Sequence, residues 1–360
     1  MLKSFFAGIV SAILLFFSSL GAVFDCSTPE KPAGPEPPVQ GWYQMVLENY
    51  NEFFAEIDGN ANRIPVIIHT DQHGAITADS DVYKYISDIV DWSCISKIIN
   101  LGDTVTGSFD AGQLEAYLKA TECLPSGKRI EVPGNHDRSF LSNEEAAEMR
   151  RQYFVTPGAS TSADGKIVVS RDGQYGVRYL AVDLLEPGWG YENGALRSED
   201  AEYIIAELES DDPSDIVLLS HPYIFRDAMQ RRDGSVFTGL DYFIGGPEKQ
   251  ADVKRSFIDM LAARKNGGSG VLLDSDGVSH DYDFSSCSGD LLMTFHGHHH
   301  TEGYETSSGI TEFVFQSMTM DNEQNSEPYC FYFAYIDREA KTFKCWKNVI
   351  GYEPWEISIA

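Results

Sequence analysis

The sequence predicts a mixed α/β fold. Three observations point there. From Trp42 onward, short apolar runs alternate with amphipathic stretches, the pattern of strands joined by crossover helices. The C-terminal part instead carries strand-like segments separated by turns. The apolar fraction of 42% allows a sizeable core.

The elements follow in chain order. Tyr43 to Ile57 has helical spacing, and Ile64 to His69 is an apolar run of strand length. Asp81 to Trp92 returns to helical spacing, followed by a second strand at Lys97 to Leu101. Gly112 to Ala120 reads as a helix and Arg129 to Val132 as a third strand. Strand, helix, strand, helix, strand is the order of a parallel sheet. Leu180 to Leu185 and Ile216 to Leu219 add strands, with a helix at Glu199 to Leu208 between them. Pro222 to Asp290 is less regular, with one helix near Asp252 to Arg264 and a Gly- and Asp-rich loop from Asn266. Leu291 to Phe295, Thr311 to Phe315, Cys330 to Ile336 and Thr342 to Trp346 complete the strands.

The chain of 360 residues holds one large or two ordinary domains. Lys and Arg total 27 against 55 Asp and Glu, a net charge of −28. That field repels nucleic-acid polymers and anionic membrane surfaces. A phosphate-bearing partner would need local positive charge, which a metal centre can supply.

Residues 1–21 read as an export signal. Lys3 supplies the positive charge, Phe5 to Phe17 the apolar stretch, and Ser18, Ser19 and Gly21 the small residues of a cleavage site. The apolar run is short for a membrane span, so the expectation is secretion rather than a retained anchor, with no stable span after cleavage. Residues 22–41 read as a linker, with five prolines between Pro29 and Pro38. The domain is then 42–360. Six cysteines would meet an oxidising environment after export. Cys94 and Cys123 each follow a crossover helix and precede adjacent strands, which brings them together at the sheet edge opposite the strand-end motifs, either as a disulfide or as two buried thiols.

Chemistry-bearing residues follow the strands. Thr70-Asp71-Gln72-His73-Gly74 follows the first, Gly102-Asp103 the second and Gly134-Asn135-His136-Asp137 the third. His221-Pro222 follows Leu219, and Gly297-His298-His299-His300 follows Phe295. Ligands bind at the carboxyl ends of strands in open α/β sheets. Carboxylate, amide oxygen and imidazole suit divalent first-row metals. Asp71 and His73 share a spacing of two with His298 and His300, so each pair can face one ion. Taken singly, each block has a bland reading as a helix cap, a turn or a surface histidine. Their recurrence after five strands does not share one.

The ordered series resembles the calcineurin-like metallophosphoesterases, whose pattern runs Asp-x-His, Gly-Asp, Gly-Asn-His-Asp/Glu, His, Gly-His-x-His. Every block is matched between Asp71 and His300, about two thirds of the chain. The resemblance implies one domain and a four-layer α-β-β-α sandwich of two mixed β-sheets flanked by helices. It also implies that Asp71, His73 and His300 hold one ion, that Asn135, His221 and His298 hold another, and that Asp103 bridges them. His136, oriented by Asp137, becomes the acid facing the substrate. The expected cofactors are two divalent ions drawn from Mn, Fe, Zn or Ni.

Two such ions can clamp an in-line displacement and generate a bridging hydroxide that attacks phosphorus. The Asp137 carboxylate would favour the His136 imidazolium, which donates a proton to the leaving alkoxide. The expected activity is hydrolysis of phosphate esters, either small molecules or phosphoesters of a cell surface. A phosphodiesterase or pyrophosphatase on the same centre is the alternative, and a non-catalytic scaffold or binding module is the alternative of another class. Specificity is expected from Pro222 to Asp290 and from the loops near Tyr191 and Gln316. Asp274-Ser275-Asp276-Gly277 reads as a turn, because its glycine comes too early for a calcium loop.

Overall fold

The computed structural model describes residues 39–184, 195–224, 228–238, 249–306, 309–319 and 329–360. The expected export signal, Cys26, most of the Pro-rich linker and the loop at Tyr191 lie outside them. The helices are α1 (Val39–Ile57), α2 (Val82–Ile89), α3 (Ala111–Ala120), the single turn α4 (Asn135–Arg138), α5 (Asn143–Tyr153), α6 (Ser198–Glu209) and α7 (Lys249–Asn266). The first strands are β1 (Arg63–His69), β2 (Lys97–Asn100), β3 (Arg129–Glu131), β4 (Ser160–Thr161), β5 (Ile167–Asp172), β6 (Val177–Val182) and β7 (Asp215–Leu219). Then come β8 (Ala228–Gln230), β9 (Val236–Thr238), β10 (Ser269–Leu273), β11 (Ser279–Asp283) and β12 (Leu291–His296). The last are β13 (Gly303–Glu305), β14 (Thr311–Val314), β15 (Tyr332–Asp337), β16 (Thr342–Lys347) and β17 (Trp355–Ser358). Helix α1 starts at Val39, inside the stretch read as linker.

One sheet runs β17-β16-β15-β1-β2-β3. Its β1-β2-β3 half is parallel and its β1-β15-β16-β17 half antiparallel. A second sheet runs β4-β5-β6-β7-β12-β14-β13-β8-β9, with β6, β7, β12 and β14 parallel. Both are mixed sheets, as expected.

Strand alternation assembles these sheets into layers. Ile67, Phe333 and Tyr335 face α1, α2 and α3, packing with Trp42, Phe53, Tyr83 and Tyr117. Their neighbours Val66, Ile68, Ala334 and Ile336 face the other way, onto Tyr179, Val217, Met293 and Phe313 of the second sheet. The outer face of that sheet, through Leu180, Ile216 and Leu218, covers Ile204 and Leu208 of α6 and Phe257 and Leu261 of α7. The order is therefore helix, sheet, sheet, helix. Each fully buried aliphatic or aromatic side chain here contributes about 1.5–3 kcal/mol, so the inter-sheet layer is a rigid floor for whatever sits at the strand ends.

The region from Pro222 to Asp290 is more ordered than its composition suggests. It contains the β8-β9 and β10-β11 hairpins as well as α7. Asp274 to Gly277 is a turn, as read: the Asp274 carboxylate accepts from the backbone of Asp276 and Val278. The Cys94–Cys123 disulfide does not form. Both are free thiols, and each is drawn to its own acceptor, Cys94 to the Asp91 carboxylate at 3.7 Å and Cys123 to the Ala120 carbonyl at 3.4 Å. Among the described residues, no helix is long and apolar enough to cross a membrane.

Candidate metal centre

The parallel strands β1, β2, β3, β7 and β12 deliver their carboxyl ends to one edge, drawn from both sheets. The chain leaves each strand through an unusual backbone. Asp71, His73, Asp103, His298 and His300 all have φ between 47° and 72°. This left-handed region is uncommon outside glycine, though Asp and His tolerate it better than most residues. Alternate residues in that conformation turn Asp71 with His73, and His298 with His300, toward a common point. Strain of this kind concentrates at functional sites.

Close approach of the loops needs two glycines. Gly102 has φ of 99°, and a Cβ there would meet the Gly134 nitrogen at 2.5 Å. A Cβ on Gly134 would in turn strike Asp103. Only this bare contact lets the second and third strand ends meet.

The nine residues singled out in the sequence come together. The ligand atoms of Asp71, His73 and His300 lie within 4.8 Å of one another, as do those of Asp103, His221 and His298. A third group of His73, Asp103 and His136 joins the two. The ring nitrogens Nε2 of His73 and His300 face each other at 2.8 Å. Asp71 Oδ1 has three imidazole nitrogens around it, those of His300 at 3.3 Å, His73 at 3.8 Å and His221 at 3.9 Å. This oxygen is buried and makes no hydrogen bond. Its fellow Oδ2 accepts from the Thr70 hydroxyl and the His298 N–H. The His221 Nε2 lies 3.2 Å from Asp103 Oδ2 and 3.1 Å from Asn135 Oδ1. Its Nδ1 is held by the Leu101 carbonyl at 2.6 Å, which aims Nε2 into the cluster. An orphaned carboxylate oxygen amid converging imidazole and amide donors suits divalent cations.

The electrostatics agree. Burial alone would strip a proton from His221, but the Asp103 and Asp71 carboxylates outweigh it and raise the imidazole to about 9. Burial likewise disfavours the charge on Asp103 and Asp71, yet His221 and the surrounding imidazoles hold both below the usual carboxylate range. His298, half-buried beside His221, is depressed by desolvation to about 3 and is therefore neutral, with a lone pair to offer. The centre attracts positive charge.

Asp137 has a different role from the expected one. Its carboxylate accepts backbone N–H bonds from Thr104 at 2.8 Å, Val105 at 3.1 Å and Gly134 at 2.7 Å. It ties the Asp103 loop to the Gly134 turn and does not hold the His136 ring. The His136 Nδ1 instead lies 3.0 Å from the Gly107 carbonyl. Burial and the Asp103 charge push Asp137 up to about 7, against the pull of its donors. The ring of His136 is the most exposed of the third group, its side chain 25% accessible, with Nε2 3.8 Å from Asp103 Oδ2. His299 turns its ring toward Tyr223 and Phe237.

Several supports lie outside the strand-end motifs. The Ser317 hydroxyl donates to the Asp71 carbonyl at 2.7 Å. Asp183, just past β6, forms buried ion pairs with Arg138 at 2.5 Å and Arg150 at 3.0 Å, anchoring the α4 turn that carries His136. Asp183 also stands at a strand end, and that position was the available signal. The hydrogen-bonding carbonyls of Leu101 and Gly107 carry no sequence signal.

No family model and no curated protein matches this chain. Solved structures with a similar trace include PhoD, with TM-score 0.47 and 9% identity over 81% of this chain and 68% of that one. A purple acid phosphatase from yellow lupin seeds has TM-score 0.45 and 12% identity over 82% of this chain and 54% of that one. A predicted phosphoesterase from Streptococcus pneumoniae has TM-score 0.34 and 12% identity over 82% of this chain and 98% of that one.

Proposed function

We propose that this chain is a secreted, metal-dependent hydrolase of phosphate esters. The observation that carries the reading is the run of three overlapping donor groups, Asp71/His73/His300, His73/Asp103/His136 and Asp103/His221/His298. Asp71, His73 and His300 would hold one divalent ion, and Asn135, His221 and His298 a second, with Asp103 between them. Such a pair, when bound, supplies an activated water and neutralises phosphate charge.

The chain's own residues complete the site. Asp103 and Asp71 set the field that concentrates cations. His221, steered by the Leu101 carbonyl, presents Nε2 in a fixed direction. His136 stands at the open side of the cluster, where its imidazole can pass a proton to a departing alkoxide. The Gly107 carbonyl beside Nδ1 fixes which nitrogen carries that proton outward. Asp137 keeps the two loops in register. Secretion rests on residues 1–21, whose charge, apolar stretch and small residues have the form of an export signal.

The test is reconstitution. The full chain is stripped with chelator, given Mn, Fe, Zn or Ni separately, and assayed against mono- and diesters and pyrophosphate. Turnover restored by at least one metal is expected. No turnover of any ester with any metal would sink the proposal.

A further inference from the structure

A cavity of about 570 Å³ is lined in part by residues that adjoin the donor cluster in sequence. Thr301 and Glu302 in its wall directly follow His300, and Gln316 directly precedes Ser317, which holds Asp71. The cavity and the cluster therefore share two loops.

Its chemistry runs against the rest of the molecule. In a chain of net charge −28, Arg231, Arg232 and Lys347 all line the cavity. One buried carboxylate, Glu302, serves two of them, Arg232 at 2.9 Å and Lys347 at 3.1 Å. Arg231 has no ion-pair partner among the described residues. Its guanidinium lies over the Phe237 ring at 4.6 Å, and its buried Nε makes no hydrogen bond. The Nε of Arg232 is likewise without a hydrogen bond. Of the acids at the rim, Asp233 feels the Arg231 charge but takes its hydrogen bonds from Ser235, and Glu353 lends Arg232 its backbone carbonyl. Tyr352, 39% exposed, and Trp355 form an aromatic wall next to Arg232.

We propose that this cavity binds a second anionic group carried on the organic part of the ester, so that the preferred substrates are phosphate esters bearing a further phosphate or carboxylate. Unpaired guanidinium N–H groups need acceptors, and anions are the acceptors they hold best. Tyr352 and Trp355 would cover the carbon skeleton between the two charges. The proposal rests on the phosphoesterase reading for its kinetic test.

That test uses the metal-loaded full chain. Phenyl phosphate is the ester without a second anion. 3-Phosphoglycerate and fructose 1,6-bisphosphate are the carboxylate and phosphate arms, and a nucleoside 5′-monophosphate offers a planar group instead. The wild-type chain is expected to favour one of the doubly anionic esters. Arg231→Met should reduce that ester's kcat/KM, relative to phenyl phosphate, by about 10- to 100-fold, the range for losing a charged hydrogen bond. Tyr352→Ala should raise its KM. No preference, a uniform loss on every ester, or a selective loss on the nucleotide would overturn the proposal.

A second readout separates the two readings. Succinate and inorganic phosphate are titrated calorimetrically into the chelator-treated full chain. Binding that Arg231→Met abolishes supports the cavity even if no ester turns over, an outcome that counts against the catalytic reading alone. Binding absent, or unchanged in the variant, overturns the cavity assignment.

Discussion

At the scale of single residues, the centre separates groups that attract cations from groups that face outward. Asp103 is 1% exposed and stands between His221 and His136. Asp103→Asn should lose bound metal, because an amide removes the negative charge that draws cations to the centre. His136→Ala should slow turnover at least 100-fold, the usual worth of a positioned proton donor, while leaving metal content nearly unchanged. Metal analysis beside single-turnover rates checks both, and a His136→Ala protein stripped of metal would move that histidine into the ligand set. These residues were legible because each sits two to five positions past a buried strand, in types that bind metals. The role of Asp137 was not legible. Its partners are backbone N–H groups of Thr104, Val105 and Gly134, which look the same in every sequence.

At the scale of elements, the strands with both faces buried were readable, and the thin ones were not. β1 is an unbroken apolar run because the two faces meet different layers. The β10-β11 hairpin buries only Leu272 and Tyr282, so its sequence lacks alternation and resembles a loop. Helix α5 was missed although Ser142 and Glu145 form a reciprocal cap at its start, a readable signal. The junction between α6 and β7 yields a test. Asp212 accepts from the Ser214 N–H and pairs with Arg171 of β5 at 2.9 Å. Burial would raise its carboxyl, but Ser214, Arg171 and Arg178 hold it down to about 2 against an ordinary 3.8. A lowered folded-state pKa stabilises the fold above the unfolded value and loses that contribution as pH falls through the folded one. The stability gap between the wild-type chain and Asp212→Asn should therefore be full at pH 5 and shrink between pH 3.8 and about 2. Urea midpoints across that window measure it; a gap that does not change with pH would show that the carboxylate charge is not what joins α6 to β7.

At the scale of the molecule, the donors come from both sheets. Asp71, His73, Asp103 and Asn135 follow strands of the six-stranded sheet, and His221, His298 and His300 follow strands of the nine-stranded one. His73 and His300 meet across 227 positions of sequence. An ion held between them would bind the folded chain far better than the unfolded one. Its presence at about 100 times its Kd should add about 2.7 kcal/mol to stability, seen as a higher Tm that chelator reverses. An unchanged Tm would mean that the donors do not act together. The linkage also runs the other way. The packed layer of Val66, Ile68, Met293 and Phe313 joins the sheets beneath the donors. A methyl group removed from that layer would let the two halves of the chelate drift apart. Metal affinity in this protein is thus also a gauge of how firmly its two sheets are clasped.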